Sequence, residues 1–259
     1  MRAQLQIDDV TIRYRTRRSE VTAAYRVSFD VHRGERAVLL GPSGCGKSSL
    51  LKAVGGFIRP LSGAIRLNGR AITGPGPDRM MVFQEFDQLL PWKSVLGNVA
   101  FALRKGAGLT ADAAKARALE AIDAVRLTGF RDAYPHELSG GMKQRVAIAR
   151  AMAMQPELLL MDEPFAALDA LTRQQMQEEL IRLWREIGFS LLFVTHSIDE
   201  AILVGSRIIV LSPHPGRVRA EIDCRDITEA DRGGERFEAM RRRIDTLLFG
   251  ERTHERTHA

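Results

Sequence analysis

The nine-residue stretch GPSGCGKSS, residues 41–49, decides the fold of this chain. It follows an apolar run at residues 37–40 that is typical of a buried strand, and a helix-compatible pattern continues after it to residue 54. A strand, a glycine-rich turn and a helix are the context that the phosphate-binding motif GxxxxGK[ST] requires. The sequence therefore predicts a phosphate-binding loop, called the P-loop below, at residues 41–49.

The residue types of the P-loop fit this chemistry. Its glycines permit backbone turns that a Cβ would block, so successive N–H groups can converge on phosphate oxygens at the positive end of a helix. Lys47 is expected to reach the β- and γ-phosphates, and the Ser48 hydroxyl is expected to bind Mg²⁺. The expected nucleotide-binding residues of this stretch are Gly41, Pro42, Ser43, Gly44, Cys45, Gly46, Lys47, Ser48 and Ser49. The motif alone does not separate a kinase from a GTPase or a transport ATPase.

Composition limits the class of protein. With 259 residues, 45% of them hydrophobic and 27% charged, the chain is ordinary for a soluble globular protein with one large α/β domain or two subdomains. No apolar run approaches the roughly 18 residues that a membrane span needs, and the charged start is no signal peptide, so a cytoplasmic protein is expected. The net charge of +6 permits nucleic acid, anionic lipid or an acidic partner. Cys45 and Cys224 are expected to be free thiols.

The beginning of the chain predicts a β-rich layer. Apolar and polar residues alternate from residue 5 to residue 31, interrupted by a basic loop at 15–20, which is typical of an antiparallel hairpin. Another short strand is expected at residues 63–69, with a turn at Asn68 and Gly69. Tyr14 lies at the end of a strand before the P-loop. Its ring can stack on a nucleotide base or pack against a neighbour in the sheet, and spacing alone leaves both open.

The middle of the chain predicts a helical insertion. After a loop at residues 73–78, a strand over 81–83 ends at Gln84, a residue that can contact a metal. A helix is expected from Thr110, its N-cap, to Val125. The segment between them predicts an apolar surface in which Trp92 is a candidate for docking; its residues are Leu89, Leu90, Pro91, Trp92, Val95, Leu96, Val99, Phe101 and Leu103.

Chemistry-bearing residues follow in the second half. LSGGMKQR, residues 138–145, opens a helix towards Met154, and its paired glycines predict an exposed anion-binding helix end. The apolar strand over 158–161 ends in Asp162 and Glu163, and a buried strand over 190–195 delivers His196 at its tip. The carboxyl ends of parallel strands carry the ligand site. A buried structural histidine is the alternative for His196.

The rest of the pattern completes the order of elements. A helix is predicted over 171–187 with Gly188 as its stop, and residues 207–211 are read as the last clear strand. Beyond residue 221 the chain is rich in Arg and Glu. The duplicated ERTHERTH, residues 251–258, is expected to be disordered.

The ordered set of P-loop, Gln84, LSGG, LLLMDEP, ALD (residues 167–169) and His196 resembles the ATP-binding cassette (ABC) ATPases over residues 5–221. An LSGG segment between the P-loop and a carboxylate-tipped strand is the part that other P-loop families lack. The resemblance implies an α/β fold: a P-loop core with a mostly parallel sheet flanked by helices, an antiparallel β subdomain and a helical subdomain that carries the signature LSGG. The ATPase domain is expected over 3–222, its helical subdomain over about 85–155, and a C-terminal extension, partly helical and then disordered, over 223–259.

The resemblance also implies roles for single residues. Two copies of the chain would form a head-to-tail homodimer with two ATP molecules between the P-loop of one subunit and the LSGG of the other. Glu163 would polarise the attacking water, Lys47 would stabilise charge on the transferred phosphoryl group, and His196 would contact the γ-phosphate. Further expected ligands of ATP are Tyr14, Gln84, Ser139, Gly140, Gly141 and Asp169, and those of Mg²⁺ are Ser48, Gln84 and Asp162. Met142 and Ser197 depart from the family pattern, which usually has Gln and often Asp at those positions.

The adjacency of Asp162 and Glu163 leaves the choice of base open. Alternation along a strand turns the two side chains to opposite faces, so only one of them can point at the attacking water while the other serves the metal. Asp162 as the base is the alternative to Glu163.

The segments PWKSVLGNV and SPHPGRV resemble the importer branch that serves nitrate, sulfonate, taurine and related small solutes. This likeness implies integral membrane permease subunits, an extracytoplasmic solute-binding protein, a place at the cytoplasmic face of the cell membrane, and a permease helix received by residues 84–135. An ABC-type ATPase that acts on nucleic acid or the ribosome is the alternative function. It would need long heptad insertions or two cassettes in one chain, so no nucleic-acid partner is expected. A small-molecule kinase does not explain LSGG, ALD or the strand-tip histidine.

Overall fold

A computed structural model describes residues 3–15, 20–84 and 88–250. Two β-sheets and seven α-helices occupy these ranges. The strands are β1 (Ala3–Arg15), β2 (Glu20–His32), β3 (Arg36–Leu40), β4 (Ser62–Leu67), β5 (Arg70–Ala71), β6 (Arg79–Val82), β7 (Leu158–Asp162), β8 (Ser190–Thr195), β9 (Arg207–Leu211) and β10 (Val218–Asp223). The helices are α1 (Lys47–Val54), α2 (Val95–Gly106), α3 (Ala111–Ala124), α4 (Gly140–Ala153), α5 (Ala170–Ile187), α6 (Ile198–Val204) and α7 (Glu235–Phe249).

The smaller sheet is antiparallel, with the strand order β2-β1-β4-β5. The alternation of the sequence appears directly in it: Leu5 and Ile7 of β1 and Phe29 and Val31 of β2 are buried, while Asp8, Ser28 and Asp30 are exposed. The predicted N-terminal hairpin and the strand that ends at Asn68 are therefore confirmed. Residues 16–19 of the predicted basic loop lie outside the described residues.

The larger sheet has the order β10-β9-β3-β8-β7-β6, and its five strands from β9 to β6 are parallel. Every residue of β7 and β8 is buried, as expected for strands that are covered on both faces. This sheet and its helices confirm the predicted α/β core. Its geometry places the carboxyl ends of β3, β6, β7 and β8 along one edge.

The prediction that residues 207–211 form the last strand was wrong. β10 pairs antiparallel with β9 at the edge of the sheet. The sequence did not predict this strand, because Arg219, Glu221 and Asp223 on one of its faces are exposed and make the segment resemble a charged tail. Alternation with the buried Ile222 was the signal that a strand continues there.

Helices α2, α3 and α4 pack together as the predicted insertion. Thr110 caps α3 by accepting a hydrogen bond from the backbone N–H of Ala113 at 3.4 Å, which confirms it as the N-cap. On its inner face α3 buries Ala114, Ala118 and Ile122. At the end of α5, Gly188 adopts the left-handed conformation (φ 73°) that was expected of a helix stop.

The predicted apolar surface of the insertion divides into two parts. Leu89, Val95, Val99 and Leu103 are buried and belong to the core of the insertion itself, as was expected of some of its apolar residues. Their helical spacing puts them on the inner face of α2 and the loop before it. Trp92 is 70% exposed, as expected.

The interior consists of two apolar clusters, one on each face of the larger sheet. One lies between the two sheets and includes α1, with Leu50 and Leu51 fully buried. The other lies under α2–α6 and continues to the C-terminal helix α7, which packs on α6 and buries Phe237, Ile244 and Leu248. Burial of one such large apolar side chain contributes roughly 1.5–3 kcal/mol.

None of the helices within 3–15, 20–84 and 88–250 is both long enough and apolar enough to cross a membrane. Residues 251–259, which include the duplicated ERTHERTH, lie outside the described residues.

Candidate functional site

The P-loop lies between β3 and α1, as the sequence predicts. Gly46 has a left-handed backbone (φ 91°), and a Cβ placed on it would lie 2.4 Å from the carbonyl oxygen of Ala23. Both facts require glycine at this position. The P-loop and the start of α1 line a small cavity of about 220 Å³. The cavity is lined by Ala23, Ser43, Gly44, Gly46, Lys47, Ser48, Ser49 and Glu163.

Lys47 is buried at the floor of this cavity. Its Nζ donates hydrogen bonds to the carbonyl oxygens of Gly41 at 2.8 Å and Pro42 at 3.1 Å. It also lies 3.9 Å from Oε1 of Glu163. A buried ammonium that is held by two neutral carbonyls and one carboxylate is well placed to exchange these partners for phosphate oxygens.

Ser48 and Asp162 join the P-loop to the tip of β7. The Ser48 hydroxyl donates to Oδ1 of Asp162 at 2.7 Å. Asp162 is buried, and this burial raises the pKa of its carboxyl, an effect that the hydrogen bond from Ser48 and the charge of Lys52 oppose. A hydroxyl and a desolvated carboxylate are hard oxygen ligands, and a divalent cation would relieve the cost of that desolvation. The pair fits Mg²⁺.

Glu163 lies just beyond β7 and differs from the expected strand conformation. The strand ends at Asp162, and Glu163 takes a left-handed backbone (φ 45°) while its N–H donates to the carbonyl oxygen of Val194 at 3.0 Å. Strand alternation therefore does not describe these two carboxylates, although they do face different partners. Asp162 faces Ser48, whereas Glu163 faces Lys47 and His196.

His196 follows the last residue of β8, as predicted. Its Nδ1 lies 2.8 Å from Oε2 of Glu163, and its side chain is 54% exposed, so the alternative of a buried structural histidine was wrong. The half-buried Glu163 carboxylate is thus held between the Lys47 ammonium on one side and the His196 ring on the other. Such an arrangement can accept a proton from a water molecule and orient that water.

Tyr14 and Gln84 lie at the border of the site. The Tyr14 hydroxyl donates to Oγ of Ser49 at 2.9 Å, and the residue is 39% exposed. The ring is thus tied to the end of the P-loop with part of its surface accessible. Gln84 is exposed and lies two residues beyond the end of β6, the neighbour of β7. Within the described part of the chain, no hydrogen bond joins it to Ser48 or Asp162.

The signature residues belong to another helix end. Ser139 caps α4 by accepting a hydrogen bond from the N–H of Met142 at 3.3 Å, and Gly140 and Gly141 form the first turn. A Cβ on Gly141 would lie 2.8 Å from Cγ2 of Thr172, so glycine permits close packing of α4 on α5. Ser139 itself is exposed. In the part of the chain that the structure describes, none of the signature residues lines the 220 Å³ cavity.

Asp169 caps α5 in the same manner. Its Oδ1 accepts a hydrogen bond from the N–H of Thr172 at 3.0 Å, and the bonds from Thr172 hold the pKa of the exposed carboxyl below its usual value. The structure thus brings together Lys47, Ser48, Asp162, Glu163 and His196, while Ser139 and Asp169 lie on helix ends that contribute nothing to that hydrogen-bonded group.

Sequence reasoning missed two residues that shape the P-loop. The carbonyl oxygen of Ala23 packs against Gly46 and also accepts a hydrogen bond from the N–H of Gly216 at 3.1 Å. A Cβ on Gly216 would lie 2.0 Å from the carbonyl oxygen of Cys45. For Gly216 the signal was the glycine of SPHPGRV, whereas nothing in the alternation of β2 distinguishes Ala23. Both cysteines are free and buried, as expected.

Comparisons with known proteins agree with this geometry. The sequence family described as "ABC transporter" matches residues 24–166. The taurine import ATP-binding protein TauB of Rhizobium johnstonii is 51% identical over 220 residues, which cover 85% of this chain and 83% of that protein.

Two solved structures are also similar. The cbiO1 protein of Clostridium perfringens, part of the ABC transporter complex cbiONQ, superposes with a TM-score of 0.76 and 28% identity, covering 87% of this chain and 90% of that one. The dimeric post-hydrolysis state of the ATP-binding cassette MJ0796, bound to ADP and Pi, gives a TM-score of 0.74 and 33% identity, covering 86% of this chain and all of that one.

Proposed function

Because this chain belongs to the ABC transporter ATPases, we propose that two copies of it close on two MgATP molecules and drive the uptake of a sulfonate-type solute. The chain is an ATP-hydrolysing subunit of an ABC importer. What is proposed is the homodimer, the roles of the single residues, the permease and binding-protein partners, and the solute. The observation that carries the proposal is the position of Glu163 beside the P-loop cavity, in an ion pair with Lys47 and in a hydrogen bond with His196.

Mg²⁺ would be held by Ser48 and Asp162, with Gln84 approaching from the end of β6. The ranges 3–15, 20–84 and 88–250 hold no cluster of three or more His, Cys, Asp or Glu residues suited to a metal. Mg²⁺ commonly binds through few protein ligands together with substrate phosphates. When bound, Mg²⁺ supplies positive charge to the phosphate oxygens.

The other roles in ATP binding and hydrolysis fall to four side chains of the protein. Lys47 leaves the carbonyl oxygens of Gly41 and Pro42 and compensates the negative charge on the transferred phosphoryl group. Glu163 accepts a hydrogen bond from the attacking water and orients it in line with the phosphorus. His196 fixes the Glu163 carboxylate through Nδ1 and presents the rest of its ring to the phosphate. Tyr14 stacks on the adenine.

The second half of each site comes from the partner subunit. Ser139 is exposed at the start of α4, whose first residues are Gly140 and Gly141, and a helix start suits the negative charge of a phosphate. Asp169 is exposed at another helix start. Within the ranges that the structure describes, the signature residues do not line the P-loop cavity of their own chain, so their backbone donors would not contact an ATP bound there. In a head-to-tail dimer these donors would contact the ATP of the other chain, and the dimeric cassette with ADP and Pi supports this arrangement.

The permease is proposed to dock on the helical insertion. Trp92 is exposed in the loop before α2. An exposed indole on a rigid helical unit is a typical anchor of a protein interface. This places the subunit at the cytoplasmic face of the membrane, with an extracytoplasmic binding protein on the other side that selects the solute. The name of the TauB relative supports taurine or a related sulfonate.

Reconstitution tests the proposal. The chain is co-purified with its permease, placed in nanodiscs and supplied with the cognate binding protein and MgATP. We expect hydrolysis to be stimulated by the binding protein with taurine and not by the binding protein with nitrate. Stimulation by nitrate alone would contradict the sulfonate assignment, and hydrolysis that responds to DNA but to no binding protein would contradict the importer.

A further inference from the structure

We propose that Arg173, which no sequence motif singled out, is a positioning residue for ATP hydrolysis. Its guanidinium fixes the backbone conformation of residues 165–168, called the linker below. It thereby keeps Glu163 and Asp169 in fixed positions relative to each other. The inference rests on the proposed function, which gives Glu163 the attacking water and Asp169 the dimer seam. Arg173 itself touches neither nucleotide nor water.

Three carbonyl groups of the linker converge on this one side chain. Nε of Arg173 donates to the carbonyl oxygen of Phe165 at 3.2 Å, and Nη2 donates to that of Leu168 at 2.8 Å and, at the longer distance of 3.5 Å, to that of Ala166. Arg173 is half-buried. Hydrogen bonds from a charged donor are stronger than neutral ones, and the planar fork holds several acceptors at fixed angles.

The linker joins the two functional ends directly. The N–H of Ala166 donates to the carbonyl oxygen of Glu163 at 3.2 Å, and the N–H of Leu168 donates to that of Phe165 at 3.2 Å. The backbone N–H of Arg173 donates to the carbonyl oxygen of Asp169 at 2.9 Å. Arg173 therefore holds both the linker, through its side chain, and the cap of α5, through its backbone.

The linker needs such a support because the strand does not extend into it. The N–H of Glu163 still bonds to Val194 of β8, but its φ of 45° is not that of a strand, so strand alternation no longer sets the direction of its side chain. Turn geometry must do so instead. One anchor of the linker is Phe165, which is fully buried and contacts the ring of Phe193 at 5.8 Å between centroids. Arg173 supplies the second anchor, through its hydrogen bonds to the carbonyl oxygens of the same segment.

Glu200 of α6 is a buried carboxylate next to α5. Burial raises the pKa of Glu200, while the charges of Arg173 and His196 act in the opposite direction. Gln177 donates to Oε1 of Glu200 at 3.0 Å and holds it in place. Arg173 is half-buried and its side-chain hydrogen bonds go to the linker, so the arginine belongs to the surroundings of the site and not to the solvated face of α5.

The test compares Arg173 with Arg182 on the same helix. Arg182 also donates to a backbone carbonyl, that of Ala124 at 2.5 Å, but it lies three turns away from the linker. Arg173→Ala, Arg173→Lys and Arg182→Ala are made in the full chain and measured in the complex with the permease. The readouts are kcat and KM for MgATP, equilibrium ATP affinity and the melting temperature.

We expect Arg173→Ala to lower kcat by about 10²-fold, the usual cost of a displacement of about 1 Å at a reacting centre, with ATP affinity unchanged. Arg173→Lys should fall between Arg173→Ala and the parent, because an ammonium keeps the charge but cannot serve three carbonyls in one plane. Arg182→Ala should keep the parent kcat. If Arg173→Ala does not fold, the kcat of Arg173→Lys against that of Arg182→Ala decides the question.

Parent kcat in Arg173→Ala or Arg173→Lys would overturn the inference. So would a loss confined to melting temperature and equal to that of Arg182→Ala, which indicates a structural role only. Glu163→Gln is measured beside them. An inactive Glu163→Gln together with a fully active Arg173→Ala overturns the role of Arg173 alone, whereas hydrolysis at the parent rate in Glu163→Gln contradicts the proposed function.

Discussion

The P-loop half of the site and the signature half are built in different ways. Side chains of the P-loop half bond across the fold: Ser48 of α1 to Asp162 of β7, and His196 after β8 to Glu163. In the signature half, Ser139 and Asp169 each accept a hydrogen bond from the N–H three residues further along their own helix. One half is fixed by tertiary structure and the other by local caps. A half that is complete in one chain and a half that lies exposed on helix ends suit a site that closes between two chains.

The largest expected effect concerns the P-loop half. Glu163→Gln should keep ATP binding and lose turnover by about 10²–10⁴-fold, because the carboxylate acts only when water is being activated. Lys47→Ala should lose ATP binding as well, since Lys47 contacts phosphate in both the ground state and the transition state. Equilibrium binding and single-turnover hydrolysis separate the two.

Asp162→Asn is the matched control for that assignment, because it changes the neighbouring carboxylate, which faces Ser48. We expect it to weaken the response to Mg²⁺ and to leave hydrolysis measurable at high Mg²⁺. Near-parent hydrolysis by Glu163→Gln together with inactivity of Asp162→Asn at every Mg²⁺ concentration would assign the base to Asp162.

The sequence predicted the features of the site that depend on local patterns and missed those that do not. The strand, loop and helix around the P-loop and the strand tips that carry Asp162 and His196 are local patterns, and the structure has them where expected. The contact of Ala23 with Gly46 joins distant segments and left no local pattern. The bonds of Arg173 to the linker are closer in sequence, but no motif marks them. The left-handed backbone of Glu163 was missed because alternation assumes that a strand continues. β10 was missed because its exposed face is charged.

The next effect concerns the signature half. Ser139→Ala should lower turnover in the assembled complex by about 10²-fold, the usual cost of removing one donor that stabilises transition-state charge. ATP affinity of the isolated chain should not change. The control is Ser94→Ala, because Ser94 caps α2 in the same way, accepting from the N–H of Gly97 at 3.1 Å.

Both caps should cost about 1 kcal/mol of stability, so the melting temperatures of the two variants should fall together. Only Ser139→Ala should lose turnover. Equal turnover in the two variants would mean that Ser139 is a helix cap and no more.

The smallest effect should fall outside both halves. Trp92→Ala should leave the basal ATPase of the isolated chain intact and weaken assembly with the permease, since truncating an indole at the centre of an interface commonly costs more than ~2 kcal/mol. Co-purification with the permease measures this. Ile187→Ala removes another exposed apolar side chain, at the far end of α5, and should assemble normally. If both variants assemble like the parent, Trp92 is not the anchor.

Light scattering on Glu163→Gln after size-exclusion chromatography tests the split site most directly. With ATP and Mg²⁺ at high protein concentration, we expect a species of twice the 28.9 kDa mass of one chain, and a monomer without nucleotide. The double variant Glu163→Gln, Ser139→Ala should stay monomeric with ATP bound, because its signature half cannot receive the phosphates of the other chain. A strictly monomeric Glu163→Gln with ATP bound, both alone and in the complex with the permease, would contradict a site that is shared between two chains.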